Sequence, residues 1–193
     1  MWSKSLLATT ASLAWCLSSV SAQTPNTNAP VTTNNHGHLY RAELEPKDNT
    51  TVGGHVTTYS GPSKVGINFV IEFWGIPTDG QPLAYHIHEK PVPEDGNCYS
   101  TGAHLDPYKR GDTIPCDIKA PETCQVGDLS GKHGPVWAPD DETFSVTYTD
   151  WFLSNVEDDV SFFGNLSVVV HASDNSRLAC GNFEVFDYEH EGN

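Results

Sequence analysis

Hydrophobic and polar residues alternate along several stretches of this chain. In "KVGINFVIEF", Val65, Ile67, Phe69, Ile71 and Phe73 share one face, which predicts a strand with one buried side. "ETFSVTYTD" alternates in the same way, and "NLSVVVHAS" carries a short β-branched run. Turn-forming groups such as "TDGQP", "EDGN" and "GKHGP" punctuate these strands. No segment sustains a helical period, and no internal repeat is present. Many short strands predict an all-β fold, a Greek-key β-sandwich or flattened barrel of about eight antiparallel strands. Two connections, 89–107 and 105–134, are long for such a fold, and loops of that length carry a site or lack order. Both adjoin histidines.

The first 22 of the 193 residues offer one basic residue (Lys4), an apolar stretch and the small-residue ending Val20-Ser21-Ala22, which predicts a secretory signal peptide. Residues 23–35, "QTPNTNAPVTTNN", are polar and rich in Pro, Asn and Thr, which predicts a flexible segment. A β-barrel domain is assigned to 36–187 and a polar tail to 188–193. No other apolar run approaches membrane-spanning length, so the expected product is soluble and extracellular, without a membrane span. The ending "EVFDYEHEGN" lacks the small-residue site and hydrophobic tail of a GPI signal, so release is the expectation.

Removal of the leader takes Cys16 with it and leaves Cys98, Cys116, Cys124 and Cys180. An even number in an exported chain suggests two disulfides, with three pairings open. Cys116 and Cys124 are eight residues apart across a Pro-rich loop, a plausible local pair, after which Cys98 and Cys180 would close a long loop. No C-x-x-C spacing supports thiolate metal binding. Asn49-Thr50-Thr51 and Asn165-Leu166-Ser167 match the N-glycosylation triplet, which fits the same compartment. The formal net charge is −15. That argues against nucleic-acid binding, which needs a basic face, and requires local positive charge to draw in any anionic substrate.

His86 and His88 in "AYHIHEK" project from one face of a predicted strand, about 7 Å apart at their Cα atoms, and can converge on one ion. The alternative for such a pair is an exposed edge with two solvated histidines. His104 follows in "GAHLDP", and His171 closes "LSVVVH" with Arg177 six residues on. The segments "HIH", "GNC" six residues before the histidine of "GAHLDP", "VGDLSGKHG", "VVVH" and "SRLACGNF" resemble, in order, the copper–zinc superoxide dismutase family. The resemblance spans most of residues 65–185.

The resemblance implies that His86, His88, His104 and His171 are copper ligands, one copper per chain. It also implies that Cys98–Cys180 is the disulfide anchoring the loop of His104, and that Arg177 orients superoxide beside the copper. Four imidazoles without a thiolate suit copper or zinc, and a planar all-nitrogen set suits Cu(II). An always-charged arginine suits docking of a small anion. In the mechanism implied, copper alternates between Cu(II) and Cu(I) while superoxide becomes O2 and H2O2. His104 carries a proton.

Two departures refine this picture. Asp128 matches the family's zinc aspartate, but no histidine occurs in 105–127, and Gln125 stands where a zinc ligand is expected. Amide oxygens are poor zinc ligands, so no zinc is expected. Only "ASDNS" separates His171 from Arg177, where zinc-bearing members carry a long charged loop, so the copper should be more open to solvent. Both departures resemble the copper-only superoxide dismutases of fungal cell surfaces, some of which are attached to the cell wall. Something must then hold the second ring nitrogen of His104, with Asp128 the first candidate and Gln125 the second. A glutamine can hydrogen-bond but cannot relay a proton.

Remaining histidines read as bland. His36 and His38 suit an exposed strand, His55 and His133 sit in Gly-flanked turns, and His190 lies in the charged tail. Trp74, Trp137 and Trp151 read as packing. The function expected is a secreted, monomeric copper-only superoxide dismutase. The alternative is a non-catalytic copper-buffering protein, which would need neither the arginine nor an open position on the metal.

Overall fold

Among the described residues, seven strands and one short α-helix follow in the order β1 (Tyr40–Leu44), β2 (Gly53–Tyr59), β3 (Ile67–Trp74), β4 (Ala84–His88), α1 (Leu129–His133), β5 (Thr143–Asp150), β6 (Ser167–His171) and β7 (Arg177–Val185). The computed structural model describes residues 28–47, 49–138 and 143–186. The predicted leader 1–22, residues 23–27, the tail 188–193 and His190 lie outside them.

The strands form one antiparallel sheet in the order β4-β6-β7-β1-β2-β3-β5, whose crossovers are of the Greek-key kind. The nine-residue β7 is the seam: residues 177–182 pair with β6, and Phe183, Glu184 and Val185 pair with β1. The alternation in β3 places Ile67, Phe69, Ile71 and Phe73 in the core, with Val65 half-buried ahead of the strand. They meet Val56, Leu44, Tyr85, Ile87, Val168, Val170 and Phe183. All five residues of β6 are buried, which explains the β-branched run of a strand covered on both faces.

The expected count of about eight strands becomes seven among the described residues, and the reason is local. Between β4 and β5 the chain makes two 3₁₀ turns, Cys98–Thr101 and Pro121–Thr123, and α1, with the isolated bridges His88↔His104 and Leu83↔Val136 in place of a further strand. The Asp128 carboxylate caps α1 by accepting from Gly131 N at 2.8 Å, which satisfies an orphan donor at the start of the helix. The sheet therefore curls into a half-barrel whose open side α1 fills, packed against β4.

The flexibility expected of 23–35 does not extend over 28–35. Thr32 and Asn35 are buried. Thr32 N donates to Trp151 O at 2.8 Å, and Thr32 Oγ1 to Leu153 O at 2.6 Å. Asn35 Oδ1 accepts from Asn155 N at 3.0 Å and from Ser154 Oγ at 3.2 Å, while its Nδ2 donates to Gly66 O at 3.2 Å. The polar side chains that mimic a linker are the partners of an irregular turn with no strand to satisfy it. Trp74, Trp137 and Trp151 are 40, 51 and 46% exposed, so their packing is partial.

The last residue of β5, Asp150, is fully buried and fully partnered. Its Oδ2 takes Lys132 Nζ at 2.5 Å and His133 Nε2 at 2.8 Å. Its Oδ1 takes Phe152 N at 2.9 Å and Leu153 N at 3.1 Å. Lys132 also donates to Val126 O at 2.7 Å. His133, stacked on Tyr148 with ring centroids 3.8 Å apart, has a structural role. His55 pairs with Glu72 at 3.2 Å. Burial alone would raise the Asp150 pKa, but the Lys132 ammonium and the His133 hydrogen bond overcome it and hold the carboxyl well below the usual range. Lys132→Met should cost about 3–5 kcal/mol in chemical denaturation, because it strands a buried carboxylate. Since the folded pKa is depressed, the contribution of Asp150 is present above the unfolded value and lost as pH falls below about 4. In Asp150→Asn the fall of Tm across that window should be shallower, as scanning calorimetry would show.

Candidate metal centre

Along β4, Tyr85 and Ile87 enter the core and leave His86 and His88 on the opposite face. β6 pairs with β4, Ala84 opposite His171, so the third imidazole reaches the same corner. The fourth arrives from a loop. The outer edge of β4 has no strand neighbour, and its backbone is satisfied instead by Leu105 N donating to Ile87 O at 2.8 Å and Ile87 N to Gly127 O at 2.9 Å. This pairing sets His104 directly opposite His88. One ring nitrogen from each of the four histidines lies within 4.8 Å of the other three.

Each ring is oriented through its other nitrogen. His88 Nδ1 donates to Gly102 O at 3.0 Å. His104 Nδ1 donates to Gln125 Oε1 at 2.7 Å. His171 is held by the backbone of Asn175. His86 Nε2 contacts Ser130 Oγ at 3.2 Å and Asp128 Oδ1 at 3.4 Å, while its Nδ1 is buried with no hydrogen-bond partner. A buried lone pair without a partner, facing three further imidazole nitrogens, is the arrangement a metal ion satisfies. His88 Nε2 lies 3.1 Å from His171 Nε2, a separation that places both on one ion's surface.

Burial keeps the His88, His104 and His171 rings neutral. It pushes His88 down to about 2 and His171 to about 3, and it lowers His104 as well, with the neighbouring imidazoles adding to each shift. Neutral rings keep the lone pairs a metal needs. Burial would raise the Asp128 pKa, but hydrogen bonds from His86 and Gly131 N prevail and keep it low.

Arg177 opens β7 and pairs across from His171. The five residues between them close a tight hairpin, in which Ala172 N donates to Ser176 O at 2.9 Å and Asn175 takes a positive φ of 66°. The Arg177 guanidinium donates from Nη1 to Cys98 O at 2.6 Å and to Thr101 Oγ1 at 2.8 Å, and from Nη2 to Gly102 O at 2.8 Å. It lies over the Tyr99 ring at 5.5 Å. Gly102 has φ 77° and ψ −145°, and a Cβ there would meet Glu89 Oε1 at 2.5 Å, so only glycine turns this carbonyl inward. The four histidines, Gln125 and Arg177 line one open cleft of about 460 Å³.

Cys98 is joined to Cys180 and Cys116 to Cys124, with Cα separations of 5.7 and 4.9 Å. The first link fastens the loop of His104 to β7. The expected order of partners for His104 is reversed. Gln125 holds its ring, and Asp128 serves His86 and the start of α1 instead. Gln125 in turn donates from Nε2 to Asp106 Oδ2 at 3.4 Å, which fixes the amide with its oxygen toward His104. Sequence reasoning missed Thr101, Gly102 and Ser130, which touch imidazole nitrogens or Arg177. The positions beside Cys98 and Asp128 were the available signal.

Residues 52–183 match the family described as copper/zinc superoxide dismutase. The chain belongs to the copper/zinc superoxide dismutase family. It is 36% identical over 190 residues to a cell surface Cu-only superoxide dismutase of Arthroderma benhamiae, covering 85% of this chain and 51% of that protein. It is 32% identical over 164 residues to cell surface Cu-only superoxide dismutase 5 of Candida albicans, covering 84% of this chain and 68% of that protein. The solved structure of Candida albicans superoxide dismutase 5 in its Cu(II) form superposes with a TM-score of 0.70 at 32% identity, covering 82% of this chain and 97% of that one. The chain thus spans about half the length of the first of these relatives.

Depressed folded pKa values mean that the unfolded chain takes up protons first, so stability from the buried imidazoles is present above about pH 6.5 and lost as pH falls toward the folded values. The Tm of the metal-free protein should drop between pH 7.5 and pH 5. A flat profile over that range would contradict neutral burial of the cluster.

Proposed function

We propose that this chain is an extracellular superoxide dismutase that works with copper alone. The observation that carries the proposal is the convergence of four imidazoles, one with an orphaned buried Nδ1, beside an immobilised arginine in an open cleft. His86 through Nδ1, and His88, His104 and His171 through their remaining nitrogens, would hold one copper. Copper, when bound, supplies the alternation between Cu(II) and Cu(I) that oxidises one superoxide to O2 and reduces a second, with two protons, to H2O2.

Arg177 docks the anion, since its charge is permanent and its position is set by three hydrogen bonds. His104 is placed to hold and release a proton at Nε2, with Nδ1–H fixed on Gln125. The amide passes no proton onward, so protons reach His104 from the cleft. The same bond supports the absence of zinc, because the nitrogen that would face a second ion is engaged by an amide. Arg177 beside the cluster favours an enzyme over copper buffering, which has no use for an anion-docking group.

The predicted leader, the two disulfides and the exposed Asn49 and Asn165 support secretion with N-glycosylation, and the relatives' cell surface setting supports association with the cell wall. The reading takes the chain as a monomer acting on superoxide, with residues 36–187 as its domain.

Pulse radiolysis of the protein loaded with copper and stripped of zinc tests the reading. Dismutation of about 10⁸–10⁹ M⁻¹s⁻¹ at one copper per chain is expected. Tight copper binding with negligible turnover would make the chain a copper-holding protein, and activity appearing only with zinc would refute the copper-alone site. Arg177→Ala should slow turnover by roughly one to two orders of magnitude with copper occupancy unchanged.

A further inference from the structure

We infer that Thr101 is a positioning residue that locks Arg177 and His88 into one arrangement. The catalytic consequence rests on the copper reading, whereas the geometry does not. Thr101 ends the 3₁₀ turn Cys98–Thr101 and is fully buried. Its hydroxyl carries one proton and two lone pairs, and all are used. The proton goes to Cys98 O at 2.8 Å. The lone pairs face Arg177 Nη1 at 2.8 Å and His88 Nδ1 at 3.1 Å.

The neighbouring Gly102 carbonyl takes the same two partners, Arg177 Nη2 at 2.8 Å and His88 Nδ1 at 3.0 Å. His88 and Arg177 are therefore bridged twice. One bridge is the Gly102 backbone carbonyl, which stays in place whatever side chain stands at 101. The other is a hydroxyl that only threonine or serine supplies at this place, and it makes the arrangement depend on the side chain at 101.

Two consequences follow from the chemistry. Two acceptors on Nδ1 keep the His88 proton there and leave the Nε2 lone pair for the cluster, so the hydroxyl helps set the tautomer. On Arg177, Thr101, Cys98 O and Gly102 O take three of the five guanidinium N–H groups, leaving two for an anion in the cleft. Without the hydroxyl, Nη1 keeps only Cys98 O, and the planar fork gains freedom to rotate out of register with the cleft. A rotated fork docks an anion less well even though its charge is unchanged.

Thr101→Val keeps the volume and removes the hydroxyl, Thr101→Ala removes it without placing a new methyl in the buried turn, and Thr101→Ser restores it. The Cys98–Cys180 link holds the turn in all three. In the metal-free protein, nitrogen-15 NMR should show a slowly exchanging His88 Nδ1–H in the parent and in Thr101→Ser, and several-fold faster exchange in Thr101→Val and Thr101→Ala, where the Gly102 carbonyl alone accepts it. In the copper-loaded protein, azide serves as the probe anion. Its Kd should rise about tenfold in the two hydroxyl-free variants and stay within about twofold in Thr101→Ser. The Cu(II) hyperfine splitting should shift in the same two variants. Parent-like His88 proton exchange and parent-like azide affinity in Thr101→Val or Thr101→Ala overturn the inference. The NMR arm needs neither copper nor turnover, so it separates this inference from the dismutase reading.

Discussion

The site depends on one constraint: a long loop must be held against a strand edge closely enough for its histidine to share an ion with three others. A strand imposes that precision on His86, His88 and His171 through its own register, but His104 has none of its own. Three fastenings substitute for it. The Cys98–Cys180 link joins the loop to β7, backbone bonds lay 103–105 along the free edge of β4, and Arg177 gathers the carbonyls of Cys98 and Gly102. The covalent link removes loop-closure entropy from the unfolded chain, and the hydrogen bonds select the geometry within what remains. A cluster whose nitrogens all lie within 4.8 Å of one another leaves little tolerance for a loosened fastening.

Charge is distributed with the same economy. The chain carries a net charge of −15, which repels an anion at long range. Attraction is therefore local and belongs to Arg177, whose hairpin is too short to wander. On the other flank of β4, the buried Lys132–Asp150–His133 network ties α1 to the end of β5, and α1 carries Ser130 to His86. The wall behind the cluster is thus buried and ion-paired, whereas the cleft in front is open.

What the residues disclosed followed their periodicity. The strand period of two placed His86 and His88 on one face before any coordinates, and β3 revealed its buried side in the same way. Arg177 was legible through the family resemblance of "SRLACGNF", six residues after His171. Failures occurred where side-chain hydrogen bonds overrode pattern. Asp128 caps α1 and contacts His86, which takes it away from His104. Gln125 took that place because its amide is oriented by Asp106, a contact no spacing announces. Thr101 remained unseen because a hydroxyl inside a 3₁₀ turn has no periodic signature.

The segment 28–35 has a consequence of another kind. By composition it is the sort of sequence expected to drift, a polar stretch of Pro, Thr and Asn ahead of a domain. Yet Thr32 and Asn35 are the hydrogen-bond partners of the turn through Trp151, Leu153, Ser154 and Asn155. An aspartate at 35 would lose the Nδ2 donor to Gly66 O, and a serine would be too short to span both sides. Selection on foldability should then treat these two positions as strictly as a core phenylalanine, while Thr33, exposed between them, changes freely. Sequence divergence in this family's leading segments can in this way be uneven residue by residue, set by geometry that composition conceals.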